Sequence, residues 1–208
     1  MVSSLLTSSG SFSSQTYTQV CSEASCCTRC SLHATRTKAV FGQGVAPCSI
    51  MCIGEAPGAD EDAQGVPFVG RAGQVLTMML SSIGLSRPND VYIANTLKCR
   101  PPGNRTPLPA EIEACYPFLL RQIFEVKPKI LILLGSPAMK TILNPTESIS
   151  KMRGRWVDLP TDYQEAPIKV ITLFHPSFLL RNPSKETGSP KWHTWNDLQA
   201  IRSELNNS

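Results

Sequence analysis

Apolar residues along this 208-residue chain cluster in short blocks divided by polar loops. The blocks Ser49–Gly54 (SIMCIG), Asp90–Leu97 (DVYIANTL), Lys129–Gly135 (KILILLG) and Ile168–Phe174 (IKVITLF) are nearly continuous and rich in β-branched residues. That pattern predicts strands buried on both faces. A further short strand is predicted at Trp156–Leu159. Between these blocks the period lengthens to that of a helix. Ala72–Ile83 has helical spacing and meets a stop at Gly84. Ala110–Val126 sets Ile112, Cys115, Leu119 and Ile123 near one face. Ser136-Pro137 is a cap followed by proline at a first helical position. Ser189-Pro190 opens a final helix, in which Trp192, Trp195, Leu198, Ile201 and Leu205 recur at spacings of three and four, the stripe of a packing face.

Strands alternating with helices predict an α/β fold with a mainly parallel sheet covered on both faces. Ligands of such sheets sit beyond the carboxyl ends of the strands. The residues leaving those ends are Gly54-Glu55, Asn95, Gly135-Ser136 and His175, so polar groups far apart in sequence should meet at one edge.

Residues 1–20 carry no charge and many Ser and Thr. They are expected to form a disordered tail, with residues 21–208 as a single domain. The segment lacks the basic start and apolar centre of a secretion signal. The longest aliphatic run, Ile130–Leu134, is far too short to span a bilayer, so no membrane association is expected. A net charge of +4 permits an anionic partner without demanding one.

Eight cysteines without an export signal point to ligation of a metal or cluster rather than to disulfides. Cys27 and Cys30 form a CxxC. Cys99 lies just past a strand and Cys115 on the following helix, joined by a proline-rich loop that can fold back. Four thiolates suit tetrahedral zinc or a [4Fe–4S] cluster. The wide spacing favours a cluster that ties the N-terminal segment to the domain body. Cys52 and Cys48 read as buried small hydrophobes. Cys26 adjoins Cys27 as a substitute ligand, and Cys21, near the tail, is not expected to ligate.

The stretch from Gly54 to Gly73, GEAPGADEDAQGVPFVGRAG, contains five glycines and four carboxylates but no lysine. It has neither a GK[ST] ending nor GxGxxG, so it is not a phosphate or dinucleotide loop. Solvation is the default for Asp60 and Asp62.

This stretch, with NTLKCRPPGNRTP and FHPSFLLR, closely resembles the three signature segments of the family 4 uracil-DNA glycosylases. CTRCSLHATRT resembles the start of that family, and the likeness spans roughly residues 26 to 205. The resemblance implies a three-layer α/β/α sandwich around a mainly parallel sheet. It implies a [4Fe–4S] cluster on Cys27, Cys30, Cys99 and Cys115. The implied reaction is hydrolysis of the bond from uracil to deoxyribose in single- or double-stranded DNA, leaving an abasic site for base excision repair. The base must first be flipped from the stack. The sugar then gains oxocarbenium character and the leaving base gains negative charge.

Carried onto this sequence, the resemblance makes Glu55 the carboxylate near the sugar and His175 the hydrogen-bond donor at uracil O2. Asn95 would read the base edge, Phe68 would stack on it, and Ala56 would offer its backbone N–H. Glu61 would crowd a thymine methyl. Leu179 would wedge into the gap left by the flipped nucleotide, with Leu180 as the fallback. Ser177 and Arg181, with Lys98, Arg100 and Arg105, are candidates for phosphate contacts. No insertion interrupts ADEDAQGVPF, so covalent trapping of DNA is not expected. The resemblance further implies a monomer in the cytoplasm, associated with the nucleoid. A nucleic-acid module without catalysis and a small-molecule iron–sulfur enzyme are the competing readings. The joint presence of Glu55, Asn95, Phe68 and His175 speaks against the first, and the lack of an electron-transfer motif against the second.

Overall fold

The computed structural model describes residues 16–162 and 164–206. A 5-stranded sheet is built from β1 (Ile50–Gly54), β2 (Val91–Asn95), β3 (Ile130–Leu134), β4 (Trp156–Leu159) and β5 (Ile168–Leu173), in the order β2-β1-β3-β5-β4. The helices are α1 (Tyr17–Ser25), α2 (Ala59–Gln64), α3 (Arg71–Ser81), α4 (Arg87–Asp90), α5 (Pro109–Val126), α6 (Ser136–Leu143), α7 (Ile149–Met152), α8 (Pro176–Arg181) and α9 (Pro190–Asn206). Strands β1, β2, β3 and β5 run parallel, and β4 pairs antiparallel with β5 at the edge. Every residue of β1, β2 and β3 is buried, which is why these segments read as unbroken apolar runs.

Alternate residues of the strands supply two cores. Cys52, Ile93, Ile132 and Ile171 face Leu76 and Leu80 of α3, Leu179 of α8, and Leu198 and Ile201 of α9. Met51, Tyr92, Leu131 and Val170 face Leu119 and Ile123 of α5 and Ile142 of α6. The result is the expected three-layer sandwich. Among the described residues, no helix is long and apolar enough to cross a membrane.

The N-terminal boundary differs from expectation. Residues 17–20, expected to be tail, belong to α1, while residues 1–15 lie outside the described residues. The helix forms because Thr16 and Gln19 cap it reciprocally. Its buried Val20 and Ala24 pack with Leu32, Phe41, Leu97 and Phe118 in a third core that also holds Cys99 and Cys115. Tyr17 is hydrogen-bonded to Tyr92 of β2 through their hydroxyls. Gln122 donates to the Tyr92 hydroxyl at 3.0 Å and to the Phe41 carbonyl at 2.7 Å, fastening this layer to α5.

Candidate active site

The parallel strands end at one edge, and Gly54 and Asn95 lie side by side in register there. Beyond them is a cavity of about 400 Å³ whose lining includes Glu55, Ala56, Glu61, Phe68, Asn95 and His175. The edge therefore gathers Glu55, Asn95 and His175 from the strand ends, as expected, whereas Gly135 and Ser136 do not line the cavity.

Asn95 is buried, and its Oδ1 makes no hydrogen bond. A buried acceptor without a partner is costly, so such an atom at a cavity is suited to a ligand donor. Phe68 is buried beside it, with its ring centroid 5.8 Å from that of His175. Gly54 makes this approach possible. A Cβ at that position would come within 2.4 Å of Asn95 Oδ1 and 2.6 Å of Phe68 Cζ.

His175 stands at the N-terminus of α8. Its Nδ1 accepts from the Ser177 N–H at 3.1 Å and lies 2.8 Å from Ser177 Oγ. An Nδ1 that accepts a backbone N–H leaves the neutral ring's proton on Nε2. Burial, assisted by the Arg181 cation and opposed by Glu61, pushes the His175 pKa down to about 4. The imidazole is accordingly a neutral donor near pH 7. Burial moves Glu55 the other way, above the ordinary carboxylate value. The Glu55 carbonyl is held by the Leu97 N–H at 3.1 Å and by the Thr96 hydroxyl, so the strand exits of β1 and β2 are locked together.

Glu61 lines the cavity, but its oxygens are engaged. Oε2 accepts from the Gly58 N–H at 3.1 Å, and Oε1 accepts from Val69 and Gly70 at 3.0 and 2.9 Å. It thereby joins the start of α2 to the entrance of α3 and forms a fixed wall. Asp62, expected to be solvated, is buried and accepts from the Thr37 N–H with both oxygens. Asp60 is exposed.

Two expectations are corrected. Leu179 cannot act as a surface wedge, because it is 3% exposed and packs in the core beneath α8. Leu180, at 37%, is the outward residue. Lys98 cannot contact phosphate either. It is wholly buried, and its Nζ donates to the Asn95 carbonyl at 2.6 Å. Of the other basic candidates, Arg105 lines the cavity while paired to Glu111 through two hydrogen bonds. Arg100 donates to the Asn104 side chain, and Arg181 lines the cavity. Ser177, expected at DNA, lines the cavity, with its Oγ 2.8 Å from His175 Nδ1.

The four candidate ligands line one small cleft, with Cys27 and Cys30 from the N-terminal segment facing Cys99 and Cys115. Nitrogen donors surround the sulfurs. Arg29 N–H reaches Cys27 Sγ at 3.4 Å, Arg36 Nη1 reaches Cys99 Sγ at 3.3 Å, and Lys98 N–H reaches Cys115 Sγ at 3.3 Å. Such donors, with the Arg36 and Lys98 cations, suit a group of negative charge. Among the described residues, no three His, Cys, Asp or Glu side chains are close enough to hold a single metal ion. Cys26 is exposed outside this cleft, and its thiol donates to the Ser22 carbonyl. Cys52 is buried in the core as expected, and Cys48 donates to the Asp90 carbonyl at 3.2 Å.

Sequence reasoning missed Arg87. Its Nη1 donates to the Phe68 carbonyl at 2.6 Å and its Nη2 to the Pro67 carbonyl at 2.7 Å. Nothing in the polar turn LSRPND marks that arginine out. It also gave no account of Arg36, whose partners lie nine to 63 residues away.

Comparison with known proteins agrees with this geometry. Residues 41–199 match the model of the uracil DNA glycosylase superfamily. The chain is similar to a type-4 uracil-DNA glycosylase of Thermotoga maritima, 48% identical over 161 residues, covering 77% of this chain and 81% of that protein. It is also similar to the protein of the same name from Archaeoglobus fulgidus, 44% identical over 76% of this chain and 79% of that one. A third such protein, from Sulfurisphaera tokodaii, is 45% identical over 76% and 73%.

Proposed function

The chain belongs to the uracil DNA glycosylase superfamily, and on that premise we propose that it excises uracil from DNA by hydrolysis of the N-glycosidic bond. The observation that carries this reading is the unpartnered, buried Asn95 Oδ1 at a cavity bounded by Phe68 and His175. Uracil N3–H is a donor of the kind that oxygen lacks, and the amide nitrogen offers a complementary bond to uracil O4. Phe68 covers a face of the flipped base. Leu180, the outward residue of α8, fills the gap left in the helix of a duplex substrate.

Cleavage breaks the bond from C1′ to uracil N1, and both electrons leave with the base. The neutral His175 donates from Nε2 to uracil O2 as negative charge gathers there. Glu55, when ionised, opposes the positive charge at C1′ and orients the water that adds to it. The water's hydroxyl remains on C1′, and its other proton returns the excised uracil to neutrality. Ser177 keeps the His175 proton on the nitrogen that needs it. Arg181 and Arg105, at the mouth, are the phosphate contacts in this reading.

Cys27, Cys30, Cys99 and Cys115 are assigned to a [4Fe–4S] cluster, which their shared cleft and the N–H donors at three of the four sulfurs support. Its contribution when bound is structural, joining the segment after α1 to α5 and the loop before it. The enzyme is assigned as a monomer acting on single- or double-stranded DNA, in the cytoplasm with the nucleoid.

The test is an oligonucleotide carrying one uracil, treated with protein and then alkali. Strand cleavage at the uracil, and none in a thymine control, is the expected result. An intact uracil strand with cluster-replete protein refutes the reading.

A further inference from the structure

Phe68 has a backbone φ of 53°, a left-handed conformation that non-glycine residues seldom take. Something must hold it there. Its carbonyl is pressed against Gly73, where an added Cβ would lie 1.8 Å from the Phe68 oxygen. That close approach leaves α3 in contact with the carbonyl without supplying it a donor. Arg87 supplies the donor, reaching the Phe68 and Pro67 carbonyls at 2.6 and 2.7 Å with its two terminal nitrogens. Its Nη1 is also 3.2 Å from Thr77 Oγ1 of α3. Residue 87 opens α4, and α4 runs directly into β2, which ends at Asn95. One short unit therefore carries both the side chain that fixes Phe68 and the amide at the cavity edge.

We propose that Arg87 is the positioning residue for the aromatic face of the base pocket, holding Phe68 at its distance from Asn95 and His175 by a two-pronged grip on the 67–68 carbonyls. The guanidinium suits this grip because its donors form a rigid planar fork. A lysine ammonium is a compact charge with rotatable donors and would hold the two carbonyls less firmly. Its Nη2 also lies 3.5 Å from Gln43 Oε1, and Arg87 acts on the pocket through Phe68.

The inference rests on the uracil-excision reading and is tested with full-length, cluster-replete protein. Arg87→Gln should slow single-turnover excision by ~10–100-fold, the scale of losing charged hydrogen bonds that orient a reacting group. Inhibition by free uracil should weaken by a similar factor, while affinity for DNA containing a ready-made abasic site changes less than ~3-fold, since the grip serves the base pocket only. Arg87→Lys should fall between wild type and Arg87→Gln. The decisive arm is a double-mutant cycle. In a Phe68→Ala background, Arg87→Gln should add less than ~3-fold, because the group it positions is gone. An undiminished effect in that background, or Arg87→Gln excising at the wild-type rate, overturns the assignment. If thermal melting shows Arg87→Gln unfolded, Arg87→Lys takes its place in the same cycle with the same criteria. An inactive wild type would instead remove the excision reading, so the two failures are distinguishable.

Discussion

Burial drives Glu55 and His175 of the cavity toward their neutral forms, raising the Glu55 pKa and lowering that of His175 to about 4. For His175 this is useful, because a neutral ring with its Nδ1 accepting from Ser177 donates through Nε2. For Glu55 it sets a limit, because only the carboxylate can oppose a sugar cation. The excision rate should therefore rise as pH rises through the Glu55 pKa. The midpoint of that acid limb should lie above the ordinary value of 4.5. His175 adds no limb near neutrality, being already neutral there. Single-turnover rates across pH check this, and Glu55→Gln should abolish the limb along with most of the rate. A midpoint below 4.5, or an unchanged limb in Glu55→Gln, would contradict the assignment. Glu55, Asn95, Phe68 and His175 were legible in the sequence because strand ends and a family resemblance pointed to them. Arg87 and the fixed oxygens of Glu61 were not, since their partners are backbone groups that only the folded chain brings within reach.

At the scale of elements, α8 separates two roles that adjacent leucines cannot share. Its six residues follow His175 directly, so the helix turns Leu179 inward onto α3 and β5 and leaves Leu180 outward. Leu179→Ala should cost ~2–5 kcal/mol of stability, as core truncations do. Leu180→Ala should change stability by no more than about 0.5 kcal/mol, as a surface substitution. Yet Leu180→Ala should slow excision from duplex DNA more than from single strands, which need no gap filled. Thermal melting and paired rate measurements check both, and equal slowing on the two substrates would remove the wedge role. Strands β1 and β3 were legible as unbroken apolar runs, and the long α5 by its helical period. The short α2 and α8 offer too few turns for a period to register. Helix α1 was missed although its Thr16–Gln19 capping box was present in the sequence, because the surrounding Ser and Thr suggested a tail.

Across the whole molecule, the sheet edge and the cysteine cleft are neighbours through one segment, Asn95 to Cys99. Lys98 lies between them, its Nζ on the Asn95 carbonyl and its backbone N–H on Cys115 Sγ. Loss of the proposed cluster should thus loosen the pocket as well as the N-terminal layer. Purified protein should hold about four iron and four sulfide per chain, the content of a cluster on four cysteines. Cys99→Ser should lose iron and melt at lower temperature, whereas Cys26→Ser, outside the cleft, should keep both. Iron retained in Cys99→Ser would contradict the ligand set. The central claim is that the cavity at the strand ends recognises uracil through Asn95. Direct quantification of free uracil released from a uracil-containing oligonucleotide, by wild type and Asn95→Ala in single turnover, tests it most closely. Release by wild type, slowed by ~100-fold or more in a folded Asn95→Ala protein, is the predicted result. Release at equal rates by the two proteins, or none from wild type, would contradict it.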